Sequence, residues 1–291
     1  MAYQKPLIVK SSTIQSLPSG DMVNFGDFPD WETNTLNWIQ TRQAFCRLAS
    51  RSSPQTNRVS TTFGSLNGSA KWFSGVLAPN GCIYGIPYSS TTVLKIDPTT
   101  DTATTFGSLS GSAKWRGGVL APNGYIYGIP YSSTTVLKIN TTTDTATTFG
   151  SLSGSEKWFG GVLAPNGMIY GIPQSSTTVL KIDPTTDTVT TFGSLSASTY
   201  KWVGGILAPN GMIYGYPYFG SSTATLIIDP TTDTATTFTT VGGSYYYAGG
   251  VLAPNGYLYG IPFNTTTVLK IGSGFDDVPL DFCLSRHFNK L

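Results

Sequence analysis

The chain has 291 residues and a formal net charge of +2 at pH 7, and only 11% of its residues are charged. It has no stripe of lysines and arginines that could follow a phosphate backbone, so the composition argues against nucleic-acid binding. The apolar run nearest the start, residues 7–9, is too short for a signal peptide, and no apolar run approaches the length that spans a membrane.

Residues 1–57 contain no repeat and are predicted to form a small N-terminal region. Asp30 can cap a helix over residues 31–48, because Leu36, Ile39 and Phe45 give that segment an apolar face. Residues 51–57 then read as a linker.

After this region, a block of 43 to 45 residues is repeated five times. Its landmark is the tripeptide Pro-Asn-Gly, whose asparagines are Asn80, Asn123, Asn166, Asn210 and Asn255. Each block reads as four short strands, because β-branched and aromatic runs alternate with breaks of Gly, Pro, Asn and Asp. In the second block these strands are predicted over residues 117–121, 125–129, 135–139 and 145–149. Four strands in such a block is the size of one propeller blade.

The count of strands predicts how the blades close. The first three strands occur five times and end at Ile271, whereas the fourth ends only at Phe106, Phe149, Phe192 and Phe238. A fifth copy of its sequence, residues 59–64, precedes the first block. We therefore predict an all-β fold, a five-bladed β-propeller closed by this N-terminal outer strand, which removes an open sheet edge. The predicted domains are an attachment region at 1–57, the propeller at 58–271 and a C-terminal tail at 272–291.

The acidic residues argue against catalysis. Seven of the fifteen lie in repeated turns of the Asp-Pro-Thr-Thr-Asp kind, where an aspartate binds local backbone amides more readily than calcium. They are Asp97, Asp101, Asp144, Asp183, Asp187, Asp229 and Asp233. Glu156 is the one other acidic residue of the propeller, whereas glycoside hydrolysis needs two carboxylates. The sole histidine, His287, builds no triad or histidine metal site within one chain. We expect no catalytic residue, no metal site and no cofactor, and three irregularly spaced cysteines predict reduced thiols.

Repeated aromatic residues are the candidates for ligand binding. One set lies at the start of the blocks, where a tryptophan follows a lysine in four copies and a tyrosine takes its place in the fifth: Trp72, Trp115, Trp158, Trp202 and Tyr247. The other set follows the proline that ends each second strand: Tyr88, Tyr131, Gln174, Tyr218 and Phe263. In a propeller both positions lie at the same end of the blades, where aromatic rings among small polar residues suit the C–H faces of sugars. The alternative is packing between blades, which we favour for the tryptophan set and leave open for the second set.

The sequences Ala-Pro-Asn-Gly-x-Ile-Tyr and Val-Leu-Lys-Ile-Asp-Pro resemble the repeats of bacterial propeller families of the NHL and YVTN kind. The count of five blades is also similar to that of tachylectin-type lectins, although their motifs are absent here. The resemblance covers residues 58–271. It implies the propeller fold and no particular ligand.

The segment Ile-Gln-Ser-Leu-Pro-Ser-Gly-Asp at residues 14–21, after a short Leu-Ile-Val strand, resembles the opening of phage tail-fibre and virion-decoration proteins. In those proteins the opening segment attaches a variable distal domain to the particle. The resemblance implies a non-enzymatic phage virion structural protein (a fibre, neck or head decoration) that is assembled in the host cytoplasm. Residues 1–57 would bind other virion proteins, and the propeller would bind a host-surface glycan or receptor.

Attachment proteins of this kind are often trimers, so the resemblance also implies a homo-oligomer, although no heptad pattern in residues 1–57 supports one. No membrane insertion is expected. One alternative is a free propeller lectin that binds carbohydrate, in which residues 1–57 brace the propeller. A glycoside-cleaving enzyme is a third class, and it would need a pair of carboxylates inside the channel.

Overall fold

The computed structural model describes residues 60–218, 224–239 and 247–272, together with the backbone of a hairpin near the N-terminus. That hairpin consists of β1 (Leu7–Lys10) and β2 (Thr13–Ser16), which are antiparallel. The predicted Leu-Ile-Val strand is therefore present. The predicted helix over residues 31–48 and the tail from residue 273 onwards lie outside the described residues.

The repeats form five antiparallel sheets, numbered here in chain order. The first sheet contains β3 (Trp72–Leu77), β4 (Ile83–Pro87), β5 (Val93–Asp97) and β6 (Thr102–Phe106). The second contains β7 (Trp115–Leu120), β8 (Tyr125–Pro130), β9 (Val136–Asn140) and β10 (Thr145–Phe149). The third contains β11 (Trp158–Leu163), β12 (Ile169–Pro173), β13 (Val179–Asp183) and β14 (Thr188–Phe192). The fourth contains β15 (Trp202–Leu207), β16 (Ile213–Pro217), β17 (Ala224–Asp229) and β18 (Thr234–Thr239). The fifth contains β19 (Tyr247–Leu252), β20 (Leu258–Pro262) and β21 (Leu269–Ile271).

The second sheet shows why each block folds into short hairpins. At its Pro-Asn-Gly turn the side-chain oxygen of Asn123 accepts the N–H of Tyr125, and Gly124 adopts a φ of +81° that a glycine reaches without strain. The Gly124 N–H donates to the carbonyl of Ala121 and closes the turn. The predicted four-strand pattern is confirmed here, with each boundary within two residues of the prediction.

The apolar core lies in the seams between adjacent sheets. Tyr84 and Ile86 of the first sheet are fully buried in one cluster with Trp115 and Ile126 of the second. At this seam a Cβ added to Gly118 would lie 2.6 Å from Cδ1 of Ile86, so only glycine lets the side chain from the preceding sheet approach this closely. Complete burial of an isoleucine stabilises the fold by about 1.5–3 kcal/mol, so each seam contributes substantially.

Adjacent sheets follow one another in the same relation along the chain. The first strand of each sheet contacts the first strand of the next, so β3 lies beside β7, β7 beside β11, β11 beside β15 and β15 beside β19. Repeated antiparallel sheets of four strands in this arrangement resemble the blades of a β-propeller.

The fifth sheet differs from the other four. It holds three described strands, and residues 60–64 form no strand, so the predicted pairing of an N-terminal outer strand with this sheet is not seen in the described part of the chain. Residues 58 and 59 lie outside that part. Ile261 is 48% exposed, whereas Ile86, Ile129 and Ile172 at the same position of earlier sheets are fully buried. One face of the fifth sheet therefore has no neighbour among the described residues.

Gly64, near the start of the described residues, nevertheless contacts the first sheet in the way that the residue after an outer strand contacts the next sheet. A Cβ on Gly64 would be 3.0 Å from Cβ of Ala103 in the first sheet. Gly107, which follows the outer strand of the first sheet, has the same relation to Ala146 of the second sheet at 3.3 Å. Gly64 and Gly107 also share a left-handed backbone, with φ of +80° and +86°.

Candidate functional site

A β-bulge interrupts the start of every first strand. The register shifts lie between Trp72 and Ser74, Trp115 and Gly118, Trp158 and Gly161, Val203 and Gly205, and Tyr247 and Gly250. A bulge redirects the side chain at that point of the strand. In the second sheet the bulge includes Gly117, with φ of +93°, where a Cβ would lie 2.8 Å from Cα of Gly160 in the neighbouring first strand. The backbones of adjacent first strands thus come together at the bulges.

The first predicted ligand set, the aromatic residues before these bulges, is built into the seams. Trp115, Trp158, Trp202 and Tyr247 are at most 2% exposed, and Trp72 is half-buried. The indole N–H of Trp115 donates to the carbonyl of Thr135 at 2.8 Å, and Trp72, Trp158 and Trp202 make the equivalent bond. These contacts favour packing, because the ring faces are covered and the only polar group is already paired.

The lysines before the tryptophans are also structural. Lys157 is buried, and its Nζ donates to the carbonyls of Tyr131, Ser133 and Gly154 at 3.3, 2.8 and 2.8 Å. Tyr131 and Ser133 belong to the preceding sheet, so this ammonium group joins two sheets. Burial lowers the pKa of Lys157 to about 8.

The second predicted set lies beside the bulges, because the end of each second strand pairs with the start of the first. Tyr131 and Gln174 are buried, Tyr88 and Tyr218 are half-buried, and Phe263 is 69% exposed. The rings of Tyr88 and Tyr131, from adjacent sheets, are tilted with their centroids 6.0 Å apart. The structure therefore brings Tyr88 and Tyr131 together.

Arg116 lies at the centre of this aromatic group. Its guanidinium carbon is 4.6 Å from the ring centroids of Phe73, Tyr131 and Phe159, and 5.4 Å from that of Tyr88. Phe73 of the first sheet meets Phe159 of the third edge to face, with centroids 5.5 Å apart. Because residues from three successive sheets meet here, the bulges direct their side chains towards one common centre. Phe73, Tyr88, Arg116, Tyr131 and Phe159 are called the Arg116 cluster below.

Among the described residues, Glu156 is the one acidic residue that lies outside the repeated turns, and it is near Tyr131 of the Arg116 cluster. Burial, and after it a hydrogen bond that the Tyr131 hydroxyl donates to Glu156, raises the pKa of Tyr131 to about 12. A hydrogen bond with Glu156 is the main cause that raises the pKa of Tyr200. Glu156 thus lies near the phenol groups of Tyr131 and Tyr200.

The repeated aspartates of the turns have two structural roles. As predicted, the first aspartate binds its own turn, since Oδ1 of Asp97 accepts the N–H of Thr99 at 2.8 Å. The expectation that the second aspartate also binds locally is wrong. Oδ1 of Asp187 accepts a hydrogen bond from the Tyr127 hydroxyl at 3.1 Å, and its Oδ2 accepts one from Nζ of Lys138 at 2.5 Å. Tyr127 and Lys138 both belong to the preceding sheet.

This contact recurs between successive sheets and is called the inter-sheet clamp. Each clamp joins an Asn, a Tyr and a Lys of one sheet to the turn of the next. The three clamps are Asn80, Tyr84 and Lys95 with Asp144; Asn123, Tyr127 and Lys138 with Asp187; and Asn166, Tyr170 and Lys181 with Asp233. A hydrogen bond to a charged group stabilises a fold by roughly 1.5–3 kcal/mol, so the clamps fix the orientation of adjacent sheets.

Sequence reasoning missed Phe73, Arg116 and Phe159. The signal was present at the position after each tryptophan, where the five blocks have Phe73, Arg116, Phe159, Val203 and Ala248. Such variation in an otherwise repeated sequence marks a place where the fold leaves the side chain free to differ. A search for repeated aromatic residues passes over it.

The comparisons with known proteins agree with this architecture. The model of a family described as a repeat of unknown function (DUF6923) matches residues 76–216. No curated protein matches the sequence. The matched segment covers most of the first sheet, all of the second and third, and the first two strands of the fourth.

Several solved structures share the fold at low identity. Virginiamycin B lyase from Staphylococcus aureus is 11% identical, with a TM-score of 0.61 over 71% of this chain and 68% of that one. Hydrazine synthase from Kuenenia stuttgartiensis is 16% identical, with a TM-score of 0.51 over 72% and 67%. An auxiliary nutrient binding protein from Bacteroides ovatus is 13% identical, with a TM-score of 0.50 over 70% and 55%. The chain is a repeat protein with propeller-like sheets.

Two kinds of feature are absent from the residues that the structure describes. Within them, no three His, Cys, Asp or Glu side chains are grouped as a metal site would require. The same residues contain no helix with the length and apolar character needed to cross a membrane.

Proposed function

We propose that this chain is a non-enzymatic binding protein of a phage virion, in which a closed five-bladed propeller displays the Arg116 cluster to host-surface glycans. One observation carries the proposal. The side chains that differ between the blocks gather at one place, around Arg116, where aromatic rings and polar groups lie side by side. Aromatic faces beside a few polar groups are the usual lining of a sugar site.

The roles of the acidic residues favour binding over catalysis. Asp144, Asp187 and Asp233 are held in the inter-sheet clamps, and Asp97 binds its own turn. Among the described residues Glu156 is the one carboxylate found near the Arg116 cluster, whereas acid–base cleavage of a glycosidic bond needs a carboxylate pair. The cluster is suited to holding a sugar rather than cleaving it.

Two matched sets of residues support closure between the fifth and first sheets. The fifth sheet has the complete half-clamp Asn255, Tyr259 and Lys270, and Asn255 already donates to the Tyr259 hydroxyl at 3.0 Å. The first sheet has the other half, Asp101, whose φ of +51° matches the +53° of Asp144 and Asp187. If the sheets formed an open row, Asp101 would have no contact with Tyr259 and Lys270.

The fourth sheet supplies the complementary exception. At the position of Lys95, Lys138, Lys181 and Lys270 it has Ile227. The partner of this lysine would be an aspartate in the turn after the third strand of the fifth sheet. No Asp-Pro-Thr-Thr-Asp sequence follows Ile271, so that aspartate is missing as well. Clamp lysines therefore occur only where a closed ring would offer them an aspartate. The contact of Gly64 with Ala103, which repeats that of Gly107 with Ala146, supports an outer strand of the fifth blade that would end just before Gly64.

The virion assignment rests on the resemblance of residues 14–21 to phage attachment segments, and residues 1–57 would hold the particle. Other virion proteins would be the partners of this region. A free lectin with the same propeller is the competing function. Antibody against this protein should label purified phage particles if the virion assignment is right, and labelling confined to the particle-free lysate would favour the free lectin.

Glycan binding is testable with full-length protein on an array of bacterial surface polysaccharides. We expect saturable binding to at least one polysaccharide class and a loss of at least tenfold in affinity for Phe73→Ala. Phe73 is 44% exposed, so its ring is available and its removal spares the core. Phe238→Ala is the matched control, because Phe238 is also exposed but lies on the outer strand β18.

Absence of binding to every polysaccharide would contradict the proposal. Equal losses for Phe73→Ala and Phe238→Ala would contradict the location of the site.

A further inference from the structure

Arg116 has an in-plane N–H group without a partner among the described residues. The faces of the rings around it attract the guanidinium as a cation, but a ring face does not accept its in-plane hydrogen bonds. Its Nε is buried without a hydrogen-bond partner. Among the described residues no carboxylate forms an ion pair with it, since the ion pairs found there all belong to the clamps. A buried N–H without an acceptor lowers the stability of a fold by about 1–3 kcal/mol, so the fold is less stable when no ligand accepts this hydrogen bond.

Gln174, in the third sheet, supplies a second unsatisfied group. It is 1% exposed, and its side-chain oxygen is buried and has no partner. It occupies the position that Tyr131 occupies in the preceding sheet, directly after the proline that ends the second strand. A buried amide oxygen in this position can accept a hydroxyl group of a ligand.

A purely structural role explains Arg116 poorly. The other blocks place Phe, Phe, Val and Ala at this position. An apolar side chain would fill the same space between Phe73 and Phe159 without leaving an N–H unpaired. The choice of arginine is explained when its planar group of donors meets an acceptor from outside the chain.

We infer that the Arg116 cluster binds a sugar that carries a carboxylate, with Arg116 donating to the carboxylate, Gln174 accepting a sugar hydroxyl and the exposed ring of Phe73 stacking on the sugar. Arginine matches a carboxylate through two parallel N–H···O bonds. A phosphate carries more charge, and the nearby Lys114 and Lys157 are already bound to backbone carbonyls. This inference rests on the proposed glycan binding and narrows it to acidic glycans.

The experiment is an NMR titration of the full-length protein with four probes: methyl β-D-glucuronoside, N-acetylneuraminic acid, methyl β-D-glucoside and inorganic phosphate. We expect at least one acidic sugar to bind at least tenfold more tightly than methyl glucoside and phosphate. The preferred acid identifies whether the source is a uronic acid or a sialic acid. Arg116→Lys keeps the charge but loses the planar donors, so it and Arg116→Met should each weaken acidic-sugar binding at least tenfold.

Thermal melts separate a binding defect from unfolding. Arg116→Met should melt no lower than the unsubstituted protein, because it removes an unpaired N–H from the cluster, and Phe238→Ala should leave binding unchanged. Equal affinity for methyl glucoside and the acids would overturn the inference and leave glycan binding intact. Phosphate binding as tight as that of the acidic sugars, or full binding by Arg116→Met, would also overturn it. If none of the sugars binds and the polysaccharide array is negative too, the proposed function fails with it.

Discussion

Replacing Gly161 with valine should lower the melting temperature of the full-length protein by about 10 °C. A Cβ on Gly161 would lie 2.7 Å from Cδ1 and 2.9 Å from Cγ1 of Ile129, a residue that is fully buried in the seam between the second and third sheets. Adding bulk to such a packed site costs up to about 3 kcal/mol. In a domain of this size each kcal/mol shifts the melting temperature by roughly 2–4 °C.

Gly75→Val is the informative partner of this substitution, because Gly75 is the equivalent residue of the first sheet. Among the described residues a Cβ on Gly75 would approach only Ile83, at 3.2 Å from its Cγ2. In a closed propeller, however, Ile261 of the fifth sheet would pack on Gly75 as Ile129 packs on Gly161. We therefore expect the two valine variants to lose similar stability in thermal melts. A normal melting temperature for Gly75→Val beside a lowered one for Gly161→Val would mean that the seam is open.

Deletion of residues 59–64 from the full chain should abolish a single cooperative unfolding transition or cause aggregation. In the closed propeller these residues are the outer strand of the fifth blade, so their loss exposes the edge of β21 (Leu269–Ile271) to other chains. Calorimetry and light scattering measure both effects. Deletion of residues 51–56, which are predicted to be linker, is the matched control and should change neither. Equal behaviour of the two deletions would contradict the role of residues 59–64.

The sequence was sufficient to predict the strands and turns because these depend on neighbouring residues. Pro-Asn-Gly fixes a turn through Asn123 and Gly124 alone, and the boundaries of the second sheet followed within two residues. The burial of the tryptophans was also favoured, since a repeated large side chain needs a repeated place to pack. Local chemistry therefore carried most of the fold.

The candidate site was predictable only in part. Tyr88 and Tyr131 were identified from their position after proline, but Arg116 was not, because a bulge decides where its side chain points. The clamps were missed for a similar reason. Lys95 and Asp144 are 49 residues apart, and their meeting depends on how one sheet is set against the next. Such pairs can be recognised in the sequence only once it is known which sheets are neighbours. Ile227 can then be recognised as the position where the fourth sheet lacks the clamp lysine.

Closure of the propeller is tested most directly by a disulfide across the missing seam, in a chain whose Cys46, Cys82 and Cys283 are replaced by alanine. A Cβ on Gly161 would lie 2.9 Å from Cγ1 of Ile129, so the two β-carbons of that pair fall near the range of roughly 3.5–4.5 Å that a disulfide needs. The double substitution Ile129→Cys with Gly161→Cys is therefore the positive control.

The double substitution Ile261→Cys with Gly75→Cys is the test, and mass spectrometry of the oxidised monomer is the readout. A closed five-bladed propeller predicts an intramolecular disulfide that forms as completely as in the control pair. A control pair that is fully oxidised beside a test pair that stays reduced, or that links only different chains, would contradict closure.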